Sequence, residues 1–130
     1  MTPNEISGQI IDAAMHVHSA LGPGLLESAY EGCLAFELAS RGIPVQRQLE
    51  LPVIYREHRI DVGFRLDLLV ADLVIVEIKA VDRFAPIHEA QLLTYLKLVD
   101  KRVGLLLNFH VLHMKDGIKR MVNQLQKSGS

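Results

Sequence analysis

Three ionisable residues interrupt two strongly apolar stretches of the chain. Asp67 lies inside the run from Phe64 to Val70, and Glu77 and Lys79 follow directly after the run from Leu73 to Val76. A continuous apolar run is typical of a strand that is covered on both faces, so these charges are expected to enter a buried sheet. Burying a charged group is unfavourable by several kcal/mol unless a partner or a metal compensates, which favours a functional role.

The spacing of the three charges determines whether they can meet. Alternate side chains of a strand point to the same face, so Glu77 and Lys79 share one face and Ile78 points to the other. Asp67 joins them only if it lies across from Glu77, which requires a loop with an odd number of residues, such as three, or a bulge. Two carboxylates and the backbone carbonyl of Ile78 would then offer the oxygen ligands that Mg²⁺ or Mn²⁺ prefers.

Metal-assisted hydrolysis of a phosphodiester is the chemistry that suits such a cluster. Asp67 and Glu77 would bind the metal, and Lys79 would orient the attacking water and stabilise the charged transition state. The alternative, that Lys79 acts as a general base, would require burial to remove its charge, which neighbouring carboxylates oppose, so the electrostatic role is favoured. Without Asp67, the alternative would be an ordinary Glu/Lys pair at a strand end that emerges into solvent.

A second group of polar residues forms a stripe on a predicted helix. His88, Gln91 and Tyr95 recur at steps of three and four residues, so they line one face and are candidates for contact with a substrate. The alternative, a helix face at an interface with a buried tyrosine hydroxyl, applies above all to His88. Cys33 lies on an apolar stripe and is expected to be a small core residue.

Apolar periodicity predicts the elements that carry these residues. Thr2 to Glu5 has the form of a capping box, which predicts a helix start. Alternation in the first predicted strand puts Val45, Leu49 and Leu51 on one face. The predicted elements are a helix ending near Leu21, a helix at 25–40, a strand from Val45, a polar connection at 57–59, an antiparallel hairpin of 64–70 with 73–80, a helix at 87–99, and strands at 103–107 and 111–114.

This order of elements predicts one α/β domain over residues 1–125, followed by a frayed tail at 126–130. An apolar strand that follows a helix is expected to return parallel to the central hairpin. The result would be a central mixed β-sheet with an antiparallel hairpin and flanking helices.

The D-x9-E-x-K arrangement of Asp67, Glu77 and Lys79 resembles the motif of the PD-(D/E)XK nuclease superfamily. Gly24 to Tyr30 matches the signature of the GxxExxY family, a branch of that superfamily. Leu66 stands where the superfamily name has a proline. The likeness continues through 88–96, 104–109 and 118–120, and so spans most of the chain.

The resemblance implies a restriction-endonuclease-like core with Mg²⁺ or Mn²⁺ as cofactor. It also implies that Glu27 is a helix-borne carboxylate that adds a metal ligand or holds a metal-bound water, although an acid at a helix start is favoured by the helix dipole alone. Gln91 and Tyr95 resemble the QxxxY element of RecB-like exonucleases, whose amide and phenol hold the substrate phosphate or order the lysine. His88 and Tyr30 complete the expected substrate-binding residues.

Composition limits the classes of protein that the chain can belong to. Its 130 residues are 49% hydrophobic and 22% charged, which is the balance of one globular core. A single cysteine excludes an internal disulfide framework and a four-cysteine zinc site. With no signal peptide and no apolar run long enough to cross a bilayer, we expect a cytoplasmic protein that does not bind membranes.

These observations predict a metal-dependent nuclease that hydrolyses phosphodiester bonds of DNA or RNA, with DNA favoured over RNA as the nucleic-acid partner. Because the net charge is -1, any nucleic-acid binding must use local basic patches. Specific interfaces bury about 1,000 Å² or more, so a homodimer or a partner protein would help a chain of this size to grip a duplex. The alternatives are a catalytically silent nucleic-acid-binding or accessory module, and a related site for a small phosphorylated substrate.

Overall fold

In a computed structural model, which describes residues 1–124 apart from the Val62 side chain, the chain forms three α-helices, one 3₁₀ turn and five β-strands. The predicted tail at 126–130 lies outside the described residues. The elements are α1 (Pro3–Leu21), α2 (Glu27–Ser40), β1 (Val45–Tyr55), β2 (His58–Val70), β3 (Val74–Lys79), α3 (Pro86–Val99), β4 (Val103–Asn108), the 3₁₀ turn (Met114–Gly117) and β5 (Ile118–Val122).

The strands form one mixed sheet in the order β1-β2-β3-β4-β5. Every neighbouring pair is antiparallel except β3 and β4, which are parallel and are connected through α3. The predicted α/β class, the antiparallel hairpin and the parallel return are therefore confirmed. The helices cover both faces of the sheet, which explains why β3 and β4 are buried along almost their whole length.

Two apolar clusters hold the helices on the sheet. α1 and α2 pack on one face through a cluster that includes Ile10 and Leu34 from the helices and Val76 from β3. α3 packs on the other face, where Leu92 and Leu96 meet residues of the central strands. α1 begins at the predicted capping box, in which the Thr2 hydroxyl accepts a hydrogen bond from Glu5 N and the Glu5 carboxylate accepts one from Thr2 N.

Partway along the β1–β2 pair, the side chains that faced one side of the sheet begin to face the other side. Val45 packs against the α1/α2 cluster, whereas Leu49 and Leu51 pack against the α3 cluster. In a regular strand these odd-numbered residues would share one face, so the prediction that they do is wrong. The change occurs at Gln48, whose φ of 49° is left-handed. The register of the two strands places Gln48 across from Asp67, between the pairs Arg47–Leu68 and Leu49–Leu66.

Two other predictions about the strands are also wrong. Residues 58–59 belong to β2, because β1 and β2 form a long hairpin that turns at Arg56 and Glu57, both with positive φ. The segment 111–114 does not form a strand, and the edge strand is β5 instead. The charged residues of β5 face solvent, which hides the apolar signal of an edge strand.

Two further features concern individual residues and the helices. Cys33 is exposed rather than part of the core, because it lies on the outer side of α2. None of the helices within residues 1–124 combines the length and the apolar character that crossing a membrane requires.

Candidate active site

The β2–β3 hairpin brings Asp67 and Glu77 together through its loop length. Val70 pairs with Val74, so the loop has three residues, Ala71 to Leu73. Leu68 pairs with Val76, and one further step in this register sets Asp67 across from Glu77. An odd loop is what the convergence of the two acids required.

Where the two acids meet, hydrogen bonds from backbone N–H groups to the carboxylates replace the backbone–backbone hydrogen bonds between β2 and β3. Asp67 N donates a hydrogen bond to Glu77 Oε2 over 2.9 Å, and Ile78 N donates one to Asp67 Oδ2 over 2.8 Å. The paired positions of β2 and β3 end just before this point, at Leu68 and Val76. Each carboxylate therefore occupies one oxygen with a backbone N–H of the opposite strand, which holds both side chains in place.

The two acids open into a cleft between the sheet and α3. Its volume is about 410 Å³. The cleft contains all three predicted catalytic residues and two of the predicted substrate contacts. Its lining residues are Glu50, Gly63, Phe64, Arg65, Asp67, Glu77, Lys79, Gln91 and Tyr95.

The cleft disfavours additional negative charge. Glu77 is only 4% exposed, and its burial, followed by the negative charge of Asp67, raises the pKa of its carboxyl to about 8. The hydrogen bond from Asp67 N and the charge of Lys79 oppose this rise. Burial also raises the pKa of Tyr95, and the charges of Glu77 and Asp67 add to the effect. A cation in the cleft would relieve these interactions.

The chemistry of the donors fits a divalent cation of the Mg²⁺ type. Within residues 1–124, no group of three or more His, Cys, Asp or Glu side chains is arranged to hold a metal by itself. Asp67 and Glu77 nevertheless place two carboxylates in one cleft, and each carboxylate has a second oxygen beyond the one bonded to the backbone. Mg²⁺ is commonly held by one or two carboxylates and takes its other ligands from water and substrate phosphate.

Two predicted metal ligands take part in other contacts. Glu27 lies in the first turn of α2, outside the residues that line the cleft, and its Oε2 accepts a hydrogen bond from Ala80 N over 3.0 Å. Ile78 contributes its N–H to the hydrogen bond with Asp67, and its side chain packs in the α1/α2 cluster. The metal contact expected from its backbone carbonyl stays a prediction. The structure therefore brings Glu27 to the end of β3 but not into the cleft.

Tyr30 is not available to a substrate, which corrects its predicted role. The side chain is fully buried and stacks on Phe109 with ring centroids 4.5 Å apart. Its hydroxyl donates to Gly22 O over 2.6 Å and accepts from Leu25 N over 3.0 Å. Tyr30 thus closes the loop between α1 and α2, a role that accounts for a tyrosine at the end of the Gly24–Tyr30 segment.

The three polar residues of the α3 stripe have different surroundings. Gln91 is exposed and lines the cleft, and Tyr95 lines it while stacking on Phe64 with centroids 5.0 Å apart. His88 does not reach the cleft, because its Nδ1 accepts a hydrogen bond from Ala85 N at the start of α3. His88 therefore follows the alternative of a structural role, and only Gln91 and Tyr95 share the cleft with the acids.

Sequence reasoning missed a buried acid beside the site. Glu31, one turn after Glu27, is 6% exposed and accepts hydrogen bonds from Arg47 Nε and Gln48 Nε2. Its negative charge also contributes to the raised pKa of Glu77. The signal was present in the sequence, because Glu31 adjoins the buried positions Tyr30 and Leu34 on the helix.

The family relationship of the chain agrees with this geometry. Comparison with curated proteins and with solved structures gave no match. A family model described as the PD-(D/E)XK nuclease superfamily matches residues 4–121, a span that includes every residue discussed above for the cleft. Because this match covers most of the chain, the protein belongs to the PD-(D/E)XK nuclease superfamily.

Proposed function

We propose that this protein is a metal-dependent nuclease that hydrolyses phosphodiester bonds of DNA or RNA. The observation that carries the proposal is the convergence of Asp67, Glu77 and Lys79 in one cleft of a chain from this superfamily. We also assign the chain to the GxxExxY branch. The contacts of Glu27 with Ala80 and of Tyr30 with Gly22 support this assignment, because they explain why the signature has a glutamate and a tyrosine at these two positions.

The carboxylates and the lysine have separate roles in the proposed reaction. Asp67 and Glu77 would hold Mg²⁺ or Mn²⁺, and the bound cation would supply Lewis-acid stabilisation of the charge on the phosphate. Lys79 orients the attacking water through its ammonium group. As the oxygen of that water forms a bond to phosphorus, one P–O ester bond breaks, and the positive charge of Lys79 stabilises the negative charge that develops. The attacking water releases a proton to the solvent, and the leaving oxygen takes up a proton from the solvent.

Residues on the cleft wall would bind the nucleic acid. Gln91 and Tyr95 offer an amide and a phenol on α3, opposite the sheet that carries the acids. Arg65 adds a guanidinium group, which can form paired hydrogen bonds with a phosphate. Glu27 acts from outside the cleft: by holding Ala80 N it fixes the chain directly after Lys79. These residues supply the local binding that a net charge of -1 does not provide.

A cleavage assay with a matched pair of variants tests the proposal. Wild type is incubated with single- and double-stranded DNA and RNA in Mg²⁺, Mn²⁺ or EDTA, alongside Glu77→Gln and Asp72→Asn. Both variants remove one carboxylate charge from the same hairpin, but Asp72 lies in its solvent-exposed loop. Because Glu77 acts in metal binding, we expect metal-dependent cleavage by wild type and Asp72→Asn, and a loss of at least about 100-fold in Glu77→Gln.

Each other outcome of this assay has a defined meaning. Equal cleavage by wild type and Glu77→Gln would reject the assigned site. Binding of polynucleotide without turnover in any metal would favour the catalytically silent accessory module. Hydrolysis of small phosphodiesters alone would point to a small phosphorylated substrate, for which a cleft of about 410 Å³ has sufficient room.

A further inference from the structure

Gln48 adopts a backbone conformation that is unusual in the middle of a strand. Its φ of 49° lies in the left-handed region, which a non-glycine residue occupies at a cost of about 1–2 kcal/mol. The positions on either side of it, Arg47 and Leu49, keep their regular partners in β2. The irregularity is therefore local and involves Gln48 together with Asp67 opposite it, because Leu66 and Leu68 on β2 also pack on different faces of the sheet. The surrounding structure must stabilise it.

The Gln48 side chain connects two carboxylates. Its Nε2 donates a hydrogen bond to Glu31 Oε1 over 2.5 Å and lies 3.4 Å from Asp67 Oδ1. Both neighbours are acceptors when ionised, so the NH₂ end of the amide must face them and the carbonyl end must point away. The amide thus has hydrogens for both carboxylates, and the contact with Asp67 is the longer and weaker one.

The buried carboxylate of Glu31 holds the side-chain amide of Gln48 in place. Glu31 is 6% exposed, and its Oε2 accepts a hydrogen bond from Arg47 Nε over 3.2 Å while Oε1 binds Gln48. Arg47 and the distorted residue Gln48 therefore bind the two oxygens of one buried acid. This arrangement offers a reason for the left-handed conformation, which directs the Gln48 side chain toward α2 and Asp67 together.

We propose that Gln48 is a positioning residue for Asp67, an inference that rests on the proposed cation site. Ile78 N holds one oxygen of the Asp67 carboxylate and Gln48 Nε2 lies beside the other. The terminal torsion of an aspartate is broad and has weak preferences of its own, so a contact at each oxygen restricts the rotation of the carboxylate group. Gln48 thereby presents Asp67 Oδ1 to the cation in a fixed orientation, and Glu31 acts through Gln48.

Metal binding by two complementary variants tests this role. Gln48→Met keeps the length of the side chain but removes the amide, and Gln48→Gly also removes the backbone strain because glycine adopts positive φ readily. Mn²⁺ affinity is measured by calorimetry on the whole protein without nucleic acid, and unfolding in urea is measured in EDTA. Gln46→Ala, an exposed residue of the same strand, is the control.

We expect both Gln48 variants to bind Mn²⁺ roughly 10- to 100-fold more weakly than wild type, which is the usual effect of removing a residue that orients a metal ligand. Gln46→Ala should bind like wild type. A purely structural role for Gln48 would instead weaken binding only in proportion to the loss of stability. Both variants lose the hydrogen bond to Glu31, but relief of the backbone strain offsets part of that loss in Gln48→Gly, which should therefore be more stable than Gln48→Met.

The outcomes separate this proposal from the proposed function. Wild-type Mn²⁺ affinity in both Gln48 variants would overturn the positioning role and leave the nuclease proposal standing. Mn²⁺ binding that follows the expected order, without cleavage of any polynucleotide, would support Gln48 and reject the nuclease activity. A wild-type protein that binds no Mn²⁺ would overturn the cation site and the positioning role together.

Discussion

At the residue scale, Glu77 and Asp67 hold each other in position through a hydrogen bond, but the charge of Asp67 disfavours the ionised form of Glu77. The backbone N–H of Asp67 binds the Glu77 carboxylate, while the negative charge of Asp67 raises the pKa of the same group. The hydrogen bond and the repulsion act in opposite directions, and burial adds to the repulsion. A bound cation would lower the free energy of such a site, because its positive charge would offset the repulsion between the two carboxylates.

The raised pKa of Glu77 predicts a pH dependence of stability in the metal-free protein. Between the ordinary value of 4.5 and about 8, the folded state keeps a proton that the unfolded state has lost. Raising the pH through this window therefore disfavours the folded state, by up to a few kcal/mol. Urea unfolding in EDTA should show wild type losing stability from pH 5 to pH 8, and Glu77→Gln losing less.

Mg²⁺ provides the control for this prediction. Since the cation would bind only the folded protein, its addition at pH 8 should restore part of the stability of wild type but not that of Glu77→Gln. The same pH slope in wild type and Glu77→Gln would show that another group controls the effect.

At the scale of elements, the loop between α1 and α2 depends on one buried phenol. The Tyr30 hydroxyl bonds to Gly22 O and Leu25 N, and the loop leads directly into the turn of α2 that carries Glu27. Gly22 and Gly24 both have positive φ, with values of 73° and 102°, so the loop also requires glycine. The phenol therefore fixes where α2 begins.

Replacing Tyr30 with phenylalanine should reduce stability without affecting metal binding. Tyr30→Phe leaves a backbone donor and a backbone acceptor without their partner, which costs about 1–3 kcal/mol. Tyr55→Phe, at an exposed tyrosine, is the matched control and should be neutral. Both are compared by urea unfolding, by Mn²⁺ calorimetry and by their affinity for single- and double-stranded DNA. Normal stability of Tyr30→Phe combined with weaker nucleic-acid binding would return Tyr30 to the substrate-contacting role that the sequence suggested.

The sequence predicted the helices and strands more accurately than it predicted which side chains of neighbouring strands share a face of the sheet. The apolar runs around Asp67 and Glu77 were sufficient to predict a hairpin, but the register depended on the loop at 71–73. That loop contains no glycine or proline, yet Ala71 and Asp72 both have positive φ. Residue type alone does not signal such a turn, so the convergence of the two acids could be stated only as a condition.

Gln48 illustrates a different limit of sequence reasoning. The alternation of β1 predicted one apolar face, and the left-handed conformation of Gln48 divides that face between two clusters. Glutamine has no particular preference for positive φ, so nothing in the local sequence indicates the change. The contact that accompanies it joins Gln48 to Glu31, a residue 17 positions away, and depends on the tertiary fold.

At the scale of the whole molecule, the fold places the candidate active site on one side of the sheet. α3 and the sheet enclose the cleft, whereas α1 and α2 form the support on the opposite face. The net charge of -1 gives little attraction to a polynucleotide at long range. Affinity must therefore come from contacts in and around the cleft, where Lys79 and Arg65 are the cationic lining residues.

Cleavage and Mn²⁺ binding, measured on the same preparation of Lys79→Ala, test the central claim most directly. Lys79 shares the cleft with Asp67 and Glu77 but is not assigned as a metal ligand. The variant should therefore bind Mn²⁺ at least as tightly as wild type and cleave nucleic acid at least about 100-fold more slowly, because the charge that stabilises the transition state is gone. Cleavage at the wild-type rate by Lys79→Ala would contradict the account.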